Sequence, residues 1–398
     1  MKKSAFYLRL EKTLMKILAI ETSCDDTGIA ILEYKNRSSR PAVLADLVSS
    51  QTKIHAPWGG VVPMLAKREH QHNLVPLLIK ALSKAKLLRK HKSQIPKPKL
   101  QTINSILERE PELSKNLRLF LPKYQKPKID YIAATIGPGL EPALWTGVNL
   151  ARALSFYWNI PLLPVNHLAG HIAAGFTTLE KSDFPIMSLV VSGGHTQLVL
   201  VKKINTYRIV GETRDDAAGE AFDKVAKMLN LGYPGGPVIS HLASKTKNYK
   251  LKTNYLRLPR PMLNSGDLDF SFSGLKTAVL YTLQKMTPAQ IKKQTPALAA
   301  EFQQAVVDVL TTKILSAAKQ FQAKTIMLGG GVAANEALRA ALKQKTADSG
   351  RRFLVPTQKL CTDNAAMIAL AAYYQLKNKT AKPSVWRSLQ AQANLRIS

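Results

Sequence analysis

The chain has 398 residues, enough to bury two hydrophobic cores, so we expect one large or two medium domains. Apolar residues (45%) and charged residues (21%) occur in the proportions of a globular protein, and no run of about eighteen apolar residues indicates a membrane span. Cys24 and Cys361 form no CxxC pair, which argues against a disulfide framework or cysteine zinc site and favours a reducing cytoplasm. The net charge of +31 predicts a polyanionic partner, most simply nucleic acid, although a proteome-wide basic composition would also explain it.

A basic stretch, residues 1–14, opens the chain, and we expect it to be an extension ahead of the first domain. Charged side chains interrupt its apolar residues, so it lacks the apolar core of a signal peptide. The buried strand Lys16–Ile20 follows and leads through a polar turn, Glu21–Gly28, into a returning strand, Ile29–Leu32. Free backbone N–H groups in such a turn can face a phosphate.

The most basic part of the chain is the segment 84–128, which holds thirteen Lys or Arg residues against three Glu. Proline-containing stretches, Ile95–Lys99 and Pro122–Lys128, flank a short helical stretch at Asn104–Leu107, which indicates a surface insertion at about 88–128. We expect it to contact phosphates rather than bases, because basic side chains supply affinity without sequence information.

Two strands lead into glycine-rich turns that open helices. Tyr131–Ile136 precedes Gly137–Leu140, and Thr325–Leu328 precedes Gly329–Asn335. A helix N-terminus after such a turn can bind an anion or a nucleotide. Neither turn is a P-loop or a full dinucleotide fingerprint, so each could also serve only to pack a helix on a strand.

The segment His167–His171 carries two imidazoles four residues apart in an apolar, predicted helical stretch. That spacing places both rings on one helix face, where they can hold one metal ion. Leu168 stands where a zinc peptidase has its general-base Glu, so the peptidase base is missing. Asp363, at the predicted start of a C-terminal helix, is a candidate third ligand. Two satisfied core histidines and a helix-capping Asp363 remain the alternative.

A second strand–turn–strand unit repeats the design of the first. Met187–Val191 leads through Ser192–Thr196 into Gln197–Val201. Two such copies at the starts of two comparable halves predict a duplicated α/β domain with a nucleotide cleft between the lobes.

Further on, Asp216, Glu220 and Asp223 share one face of a predicted helix and would repel one another unless a metal, a lysine or a ligand hydroxyl relieves them. A solvated acidic face is the alternative. The turn Tyr233–Pro237 is rigid and suits close backbone approach, and Ser273 is a candidate N-cap.

Eight motifs occur in the order found in the TsaD family, and the chain resembles this family from Met15 to about Tyr374. They are Glu21–Gly28, His167–His171, Val191–Thr196, Asp215–Lys224, Tyr233–Pro237, Asp269–Lys276, Gly330–Asn335 and Cys361–Asn364. The family comprises tRNA N6-adenosine threonylcarbamoyltransferases (Gcp/YgjD), formerly described as O-sialoglycoprotein endopeptidases. The resemblance implies a two-lobed actin/Hsp70/sugar-kinase-like (ASKHA) α/β fold. We expect an N-terminal lobe at 15–165 with the basic insertion, and a C-terminal lobe at 166–398 with the metal and nucleotide site.

The resemblance also implies the reaction: transfer of threonylcarbamoyl from threonylcarbamoyl-AMP to N6 of the adenosine 3′ to the anticodon, in tRNAs that read ANN codons. By the same resemblance His167, His171 and Asp363 would ligate one Fe²⁺ per subunit, with zinc as the alternative. The residues implied to line the adenylate site are Val190, Val191, Ser192, Gly193, Gly194, Asp223, Gly236 and Asn335. Asp25 and Asp26, in the turn where the family keeps acidic residues, are candidates for the catalytic base.

The implied partners are tRNA, a TsaB-like paralogue, a TsaE-like ATPase and a TsaC-type synthase that supplies the adenylate, with no membrane contact. Three other functions remain open. A metallopeptidase would need a carboxylate base near the histidines. A non-catalytic scaffold would be expected to lack the ligand trio. A sugar or acetate kinase would phosphorylate a small molecule independently of His171.

Overall fold

The computed structural model describes residues 14–35, 41–246, 256–377 and 386–398, so the expected extension at 1–14 lies outside it except for Leu14. The strands are β1 Met15–Glu21, β2 Asp26–Tyr34, β3 Ala42–Ser50, β4 Tyr131–Gly137, β5 Leu162–Asn166, β6 Ile186–Val191, β7 Thr196–Lys203, β8 Thr206–Glu212, β9 Thr325–Gly329 and β10 Arg352–Leu354. The helices are α1 Thr52–His55, α2 Pro63–Lys84, α3 Lys97–Ile106, α4 Pro111–Phe120, α5 Glu141–Trp158, α6 His167–Ala174, α7 Ala218–Met228, α8 Gly235–Lys245, α9 Ser273–Gln284, α10 Pro288–Gln320, α11 Glu336–Asp348 and α12 Ala365–Lys377. None of these helices has the length and apolar character that crossing a membrane requires.

The chain divides into two compact units. The first unit contains the described residues of Met1–Gln51, Val61–Ala174 and Asp363–Ile397, and the second contains those of Thr52–Gly60, Gly175–Thr362 and Ser398.

Each unit is built on a five-stranded mixed sheet, and the two sheets have the same design. In the first the order is β3-β2-β1-β4-β5, and in the second it is β10-β9-β6-β7-β8. In each sheet a central strand, β1 or β6, pairs antiparallel with the strand that follows it and parallel with a later one. Residues of β1 and β6 are buried almost throughout, as expected for central strands covered on both faces. The repeated topology confirms the predicted α/β fold with duplicated strand–turn–strand cores.

Residues 166–174, with α6, and Asp363 to the end of α12 belong to the first unit. The sequence-based division placed all of 166–398, with the metal site, in one C-terminal lobe. Helix α12 contacts β1, β2, β5 and α6. Its Tyr373 ring stacks on Tyr34 of β2 with centroids 3.8 Å apart, and the Tyr34 hydroxyl donates to the Ala369 carbonyl at 3.3 Å. The boundary differs because the packing that decides it joins residues more than 300 positions apart, which no local pattern reveals.

The basic insertion contains two helices, α3 and α4, where the sequence indicated one short stretch. Their apolar residues join the core of the first unit; these are Ile103, Ile106, Leu113, Leu117 and Phe120. They recur at intervals of three or four, so each helix presents one apolar stripe to the core. The prediction of a single short helix was wrong: this spacing is a local signal, and the prediction rested on the charge and prolines of the segment instead.

The second unit is organised around α10, a helix of 33 residues. A capping box begins it: the Thr287 hydroxyl accepts from the Gln290 amide, while the Gln290 side chain accepts from the Thr287 amide. Phe302, Val306 and Leu310 of this helix lie in the large apolar cluster that covers the second sheet.

Candidate metal centre and glycine-rich pocket

The metal centre begins where β5 passes into α6. Asn166, the last residue of the strand, accepts hydrogen bonds through Oδ1 from the amides of Leu168 and Ala169, at 2.9 and 3.2 Å. This cap fixes the first turn of α6, on which both predicted histidines are buried. Their Nε2 atoms lie 3.1 Å apart, so the one-turn spacing places the two rings against each other as predicted from the sequence.

Asp363 completes the trio. Its Oδ1 lies 3.5 Å from Nε2 of His167 and 3.2 Å from Nε2 of His171. Three atoms bound to one ion at about 2.1 Å and tetrahedral angles lie roughly 3.4 Å from one another, so the triangle fits a single metal ion. The cap of α12 comes from its neighbour Asn364, whose Oδ1 accepts from the Met367 amide at 2.9 Å. The alternative of a purely capping Asp363 is therefore not supported.

Behind the histidines lies Glu21, a fully buried carboxylate at the end of β1. Its Oε2 is 3.1 Å from Nδ1 of His167 and accepts from the Thr135 hydroxyl at 2.6 Å, and its Oε1 accepts from the Ser23 amide at 2.6 Å. Metal-binding histidines characteristically have their second nitrogen held by such a carboxylate. Sequence analysis placed Glu21 in an acidic turn but missed this role, because the residues it joins are 146 positions apart.

Burial and the charges of this centre shift the pKa values of His167, His171 and Glu21. Burial disfavours the His167 imidazolium, but the charges of Asp363 and Glu21 and the bond to Glu21 outweigh it and raise the pKa of His167 to about 9. Burial, together with the His167 charge, lowers the pKa of His171. For Glu21, burial acts upward, yet the charge and hydrogen bond of His167 leave its pKa below the ordinary value. The metal-free centre thus holds a proton on His167 that a cation would replace.

Asp25 lies in the polar turn after β1 and Asp26 begins β2; both are partly buried. Burial, followed by the charge of Asp363, raises the pKa of Asp26 to about 7. His70, which sequence analysis did not single out, is fully buried and supports this turn: Nε2 lies 2.9 Å from the Cys24 carbonyl oxygen, and Nδ1 2.8 Å from the Thr27 hydroxyl. Nothing local in the sequence marks it, since it lies in the middle of α2.

Neither cysteine has the character of a nucleophile. Burial and the nearby Asp25 charge raise the pKa of Cys24 well above its usual value. Burial likewise raises the pKa of Cys361, although Arg339 opposes the shift. Both thiols therefore stay protonated near neutral pH.

The second unit contains a cavity of about 470 Å³. Four of the eight residues implied for the adenylate site line it, namely Gly193, Asp223, Gly236 and Asn335. Val190 and Val191 are instead fully buried within β6, where they serve the core. Ser192 accepts the His195 amide through Oγ at 3.2 Å, and neither it nor Gly194 is among the lining residues.

Glycine serves two purposes around this cavity. At Gly330 the backbone has φ of +88°, and a Cβ there would lie 2.3 Å from the Val191 carbonyl oxygen, so glycine permits the chains to approach. At Gly193 and Gly236 a Cβ would meet no atom within 4 Å. There the bare backbone faces open space, which leaves room for a ligand against the main chain.

Two polar lining residues, Asp223 and Asn335, are held in place by their own hydrogen bonds. Asp223 accepts the Gly235 amide through Oδ1 at 2.7 Å. Asn335 caps α11 by accepting the Leu338 amide at 3.0 Å, and its Nδ2 donates to Gln303 at 2.8 Å. The cavity therefore has a preformed wall.

Lysines relieve the acidic face predicted at the start of α7. Lys224 contacts Asp216 at 2.7 Å and Glu220 at 2.8 Å, and Lys276 contacts Asp216 at 3.0 Å. Relief of the repulsion by a lysine is one of the three outcomes that the sequence analysis allowed, beside a metal and a ligand hydroxyl. The prediction that all three carboxylates share one helix face was wrong: Asp216 precedes α7, which begins at Ala218, and the Asp223 carboxylate instead accepts the Gly235 amide.

The prediction of Ser273 as a side-chain N-cap was wrong. Helix α9 begins at Ser273, and the preceding Phe272 is the cap residue, without a side-chain cap bond. The carboxylate of Asp215 fills the role from a distant segment, accepting the amides of Phe272 at 2.8 Å and Ser273 at 3.2 Å. A cap supplied from 57 residues away leaves no local signature.

Comparison with known proteins agrees with these features. The sequence profile of the TsaD family, tRNA N6-adenosine threonylcarbamoyltransferase, matches residues 42–95 and 122–370. Relatives bearing that name include proteins of Persephonella marina (41% identical, covering 96% of both chains) and Syntrophomonas wolfei (42% identical, covering 92% of this chain and 94% of that one).

Among solved structures, full-length HypF in its phosphate- and nucleotide-bound form superimposes with a TM-score of 0.51 and 13% identity. It covers 94% of this chain, which spans only 57% of HypF, and at that identity the likeness concerns the fold alone. The profile match and the full-length relatives are decisive for the family. The chain belongs to the TsaD family of tRNA N6-adenosine threonylcarbamoyltransferases.

Proposed function

We propose that this protein transfers the threonylcarbamoyl group of threonylcarbamoyl-AMP to N6 of the adenosine 3′ to the anticodon, in tRNAs that read ANN codons. The observation that carries the proposal is the buried His167–His171–Asp363 trio in a chain that matches threonylcarbamoyltransferases over nine-tenths of its length. Burying two imidazoles and a carboxylate at one point costs desolvation free energy, which a bound ion would offset and which a non-catalytic scaffold does not require.

The trio would hold one divalent ion, which we assign as Fe²⁺, with Zn²⁺ as the alternative that the same donors accept. When bound, the ion supplies Lewis-acid polarisation of oxygens on the acyl donor. Glu21 keeps Nδ1 of His167 engaged at 3.1 Å, so that Nε2 points toward Asp363. This arrangement fixes the geometry before any substrate binds.

The cavity in the second unit would accept the adenylate. Gly193 and Gly236 expose bare backbone to it, and Asp223 and Asn335 contribute polar atoms at fixed positions. We also assign Ser192 and Gly194, at the turn after β6, to the phosphate end of the donor, because backbone N–H groups in such a turn suit an anion. Val190 and Val191 would support this turn from the core.

Chemically, N6 of the adenine attacks the carbamoyl carbon, a new C–N bond forms, the C–O bond to phosphate breaks and AMP leaves. The attacking amine must lose one proton. Asp26 is the better of the two candidate bases, because a carboxyl group with a pKa near 7 accepts a proton and releases it again at neutral pH. Asp25 stays the second candidate.

One proposed protein partner follows from the reaction, and two follow from the family resemblance. A mixed anhydride hydrolyses in water, so a TsaC-type synthase has to supply it. A TsaB-like paralogue and a TsaE-like ATPase complete the set that we propose.

The test is reconstitution with these partners, threonine, bicarbonate, ATP and unmodified tRNA, followed by nucleoside mass spectrometry. We expect threonylcarbamoyladenosine with the wild-type chain and none with His171→Ala. Absence of the product with wild type, while a reference TsaD protein succeeds in parallel, would refute the proposed function. Glycoprotein cleavage that His167→Ala abolishes would instead indicate a peptidase.

A further inference from the structure

We propose that the exposed basic face of the segment 84–128 docks the RNA phosphate backbone, away from the metal centre. We call the exposed basic surface of residues 84–128 the basic face. The inference rests on the proposed function for the identity of the RNA and extends it by assigning a docking surface. It applies to a part of the chain that the family profile only partly matches, because residues 96–121 fall outside the profile.

The charge of this face is dense, exposed and poorly compensated. All thirteen Lys and Arg side chains of the segment are exposed, and they make up nearly a quarter of the 57 in the chain. Of its three acids, Glu110 is buried and accepts from Asn149 at 2.9 Å, and Glu112 lies 3.9 Å from both Lys115 and His72. Only Glu108 remains to offset the other cations within the segment.

The backbone holds these cations in a fixed arrangement. The segments 89–93 and 122–125 pair antiparallel: the amides of His91 and Ser93 donate to the carbonyls of Lys123 and Pro122, and the Gln125 amide donates to the Arg89 carbonyl. Lys90 lies opposite Tyr124 in this ribbon.

Side chains alternate along such a ribbon. Lys90 and Lys92 therefore share one face with Tyr124, while Arg89 and Lys123 share the other. Each face of the ribbon therefore carries two cations and can present them to an anionic partner. No carboxylate of the described residues lies within ion-pair distance of these four side chains.

Helix α5 places the basic face far from the metal centre within the same unit. The helix starts beside the centre, where the Leu140 amide donates to the Ser23 carbonyl, and Thr22 donates to Ala143. Its other end meets the basic segment, since Lys126 Nζ donates to the Asn159 carbonyl at 3.4 Å. Eighteen residues at 1.5 Å each separate the two ends by roughly 27 Å. The Lys126 end of the basic face would therefore bind phosphates away from the metal centre.

A nucleic acid suits this face better than a membrane or an acidic protein. Its helices turn their apolar stripes into the core, and Leu119 is the only large apolar side chain exposed on 84–128 among the described residues. A membrane-binding surface would present an apolar face to the lipid. Phosphate contact needs only exposed, regularly placed cations.

The experiment compares two quadruple charge variants of the full chain. The test variant replaces Arg89, Lys90, Lys92 and Lys123 with Gln. The matched control replaces four exposed lysines of the second unit with Gln, namely Lys202, Lys203, Lys319 and Lys343. Kd for an unmodified tRNA transcript is measured between 50 and 200 mM KCl without adenylate, so the result does not depend on catalysis.

We expect the test variant to bind tRNA at least about tenfold more weakly at 100 mM KCl. The slope of log K against log salt concentration should decrease in magnitude by about two to four, because each lost phosphate contact removes close to one from that slope. KM for tRNA should rise while kcat stays unchanged, and His171→Ala should retain wild-type tRNA binding. Equal Kd and slope in wild type and test variant, or an equal loss in the control, would overturn the proposal. So would an intact tRNA affinity combined with lost binding to phosphatidylserine vesicles, which would identify a membrane-binding surface.

Discussion

The metal centre of the first unit and the glycine-rich pocket of the second are built on opposite principles. In the metal centre, side chains supply everything: three donors converge within 4.8 Å and a buried carboxylate holds one of them. In the pocket, glycines leave open space beside the backbone, and the side chains of Asp223 and Asn335 accept hydrogen bonds from backbone amides. Removing atoms should therefore damage the first site, and adding atoms should damage the second.

The largest effect should come from removing a metal ligand. Asp363→Ala should lower the rate of tRNA modification by about 10²–10⁴, because Lewis-acid stabilisation is worth several kcal/mol. Metal content measured by mass spectrometry should fall with it. The matched control is Asn364→Ala, which removes a helix cap worth about 1 kcal/mol and should leave the metal bound. Full metal loading and activity in the Asp363→Ala protein would contradict the assignment.

Metal affinity should also depend strongly on pH. His167 of the metal-free protein is protonated below its pKa of about 9, so metal binding must displace a proton. Apparent affinity should weaken by about a hundredfold between pH 8 and pH 6, at tenfold per unit. The free energy of unfolding of the metal-free protein should change with pH in the opposite direction. The stabilisation from the His167 cation is complete below pH 6.5 and is lost as pH rises through about 9. Chelator competition and thermal melts at several pH values measure both.

The two sites differ in how far sequence could predict them. The histidine pair was predictable because a four-residue interval on a helix is a local property, and the glycine turns were predictable because they follow buried strands. Whether Asp363 is a ligand or only a helix cap was not decidable, since aspartate commonly caps helices and only the fold shows that it turns to the histidines. The Asp215 cap and the Glu21 contact join distant segments and left no local trace.

The two halves of the fold show the same limit. Strand–turn–strand repeats predicted a duplicated α/β architecture, which the paired sheets confirm. The place of α12 in the first unit depends on its contacts with β1 and β2, and no periodicity in the helix itself indicates which sheet it covers.

Weakening the support of His167 should have an intermediate effect. Glu21→Gln keeps the size of the side chain but removes the charge that orients the ring, and such second-layer changes cost about 10–100-fold in metal affinity. The pH dependence described above should shift to lower pH, because the pKa of His167 loses one of the charges that raise it. Thr135→Val, which removes only the hydroxyl bond to Glu21, is the milder comparison. An unaltered metal affinity in Glu21→Gln would show that the carboxylate serves only folding.

The smallest effect should come from adding one methyl group to the pocket. Gly236→Ala places Cβ in open space near the start of α8, so folding should be unharmed or stabilised by up to about 1 kcal/mol. Affinity for AMP should nevertheless fall, by about tenfold, because the methyl occupies space that we assign to the ligand. Gly219→Ala is the converse: its Cβ would lie 2.5 Å from the Ser192 carbonyl oxygen, so it should lower the melting temperature. If Gly236→Ala binds AMP as tightly as wild type in calorimetry, the adenylate lies elsewhere. The proposed difference between a metal centre built from side chains and a pocket opened by glycines would then no longer hold.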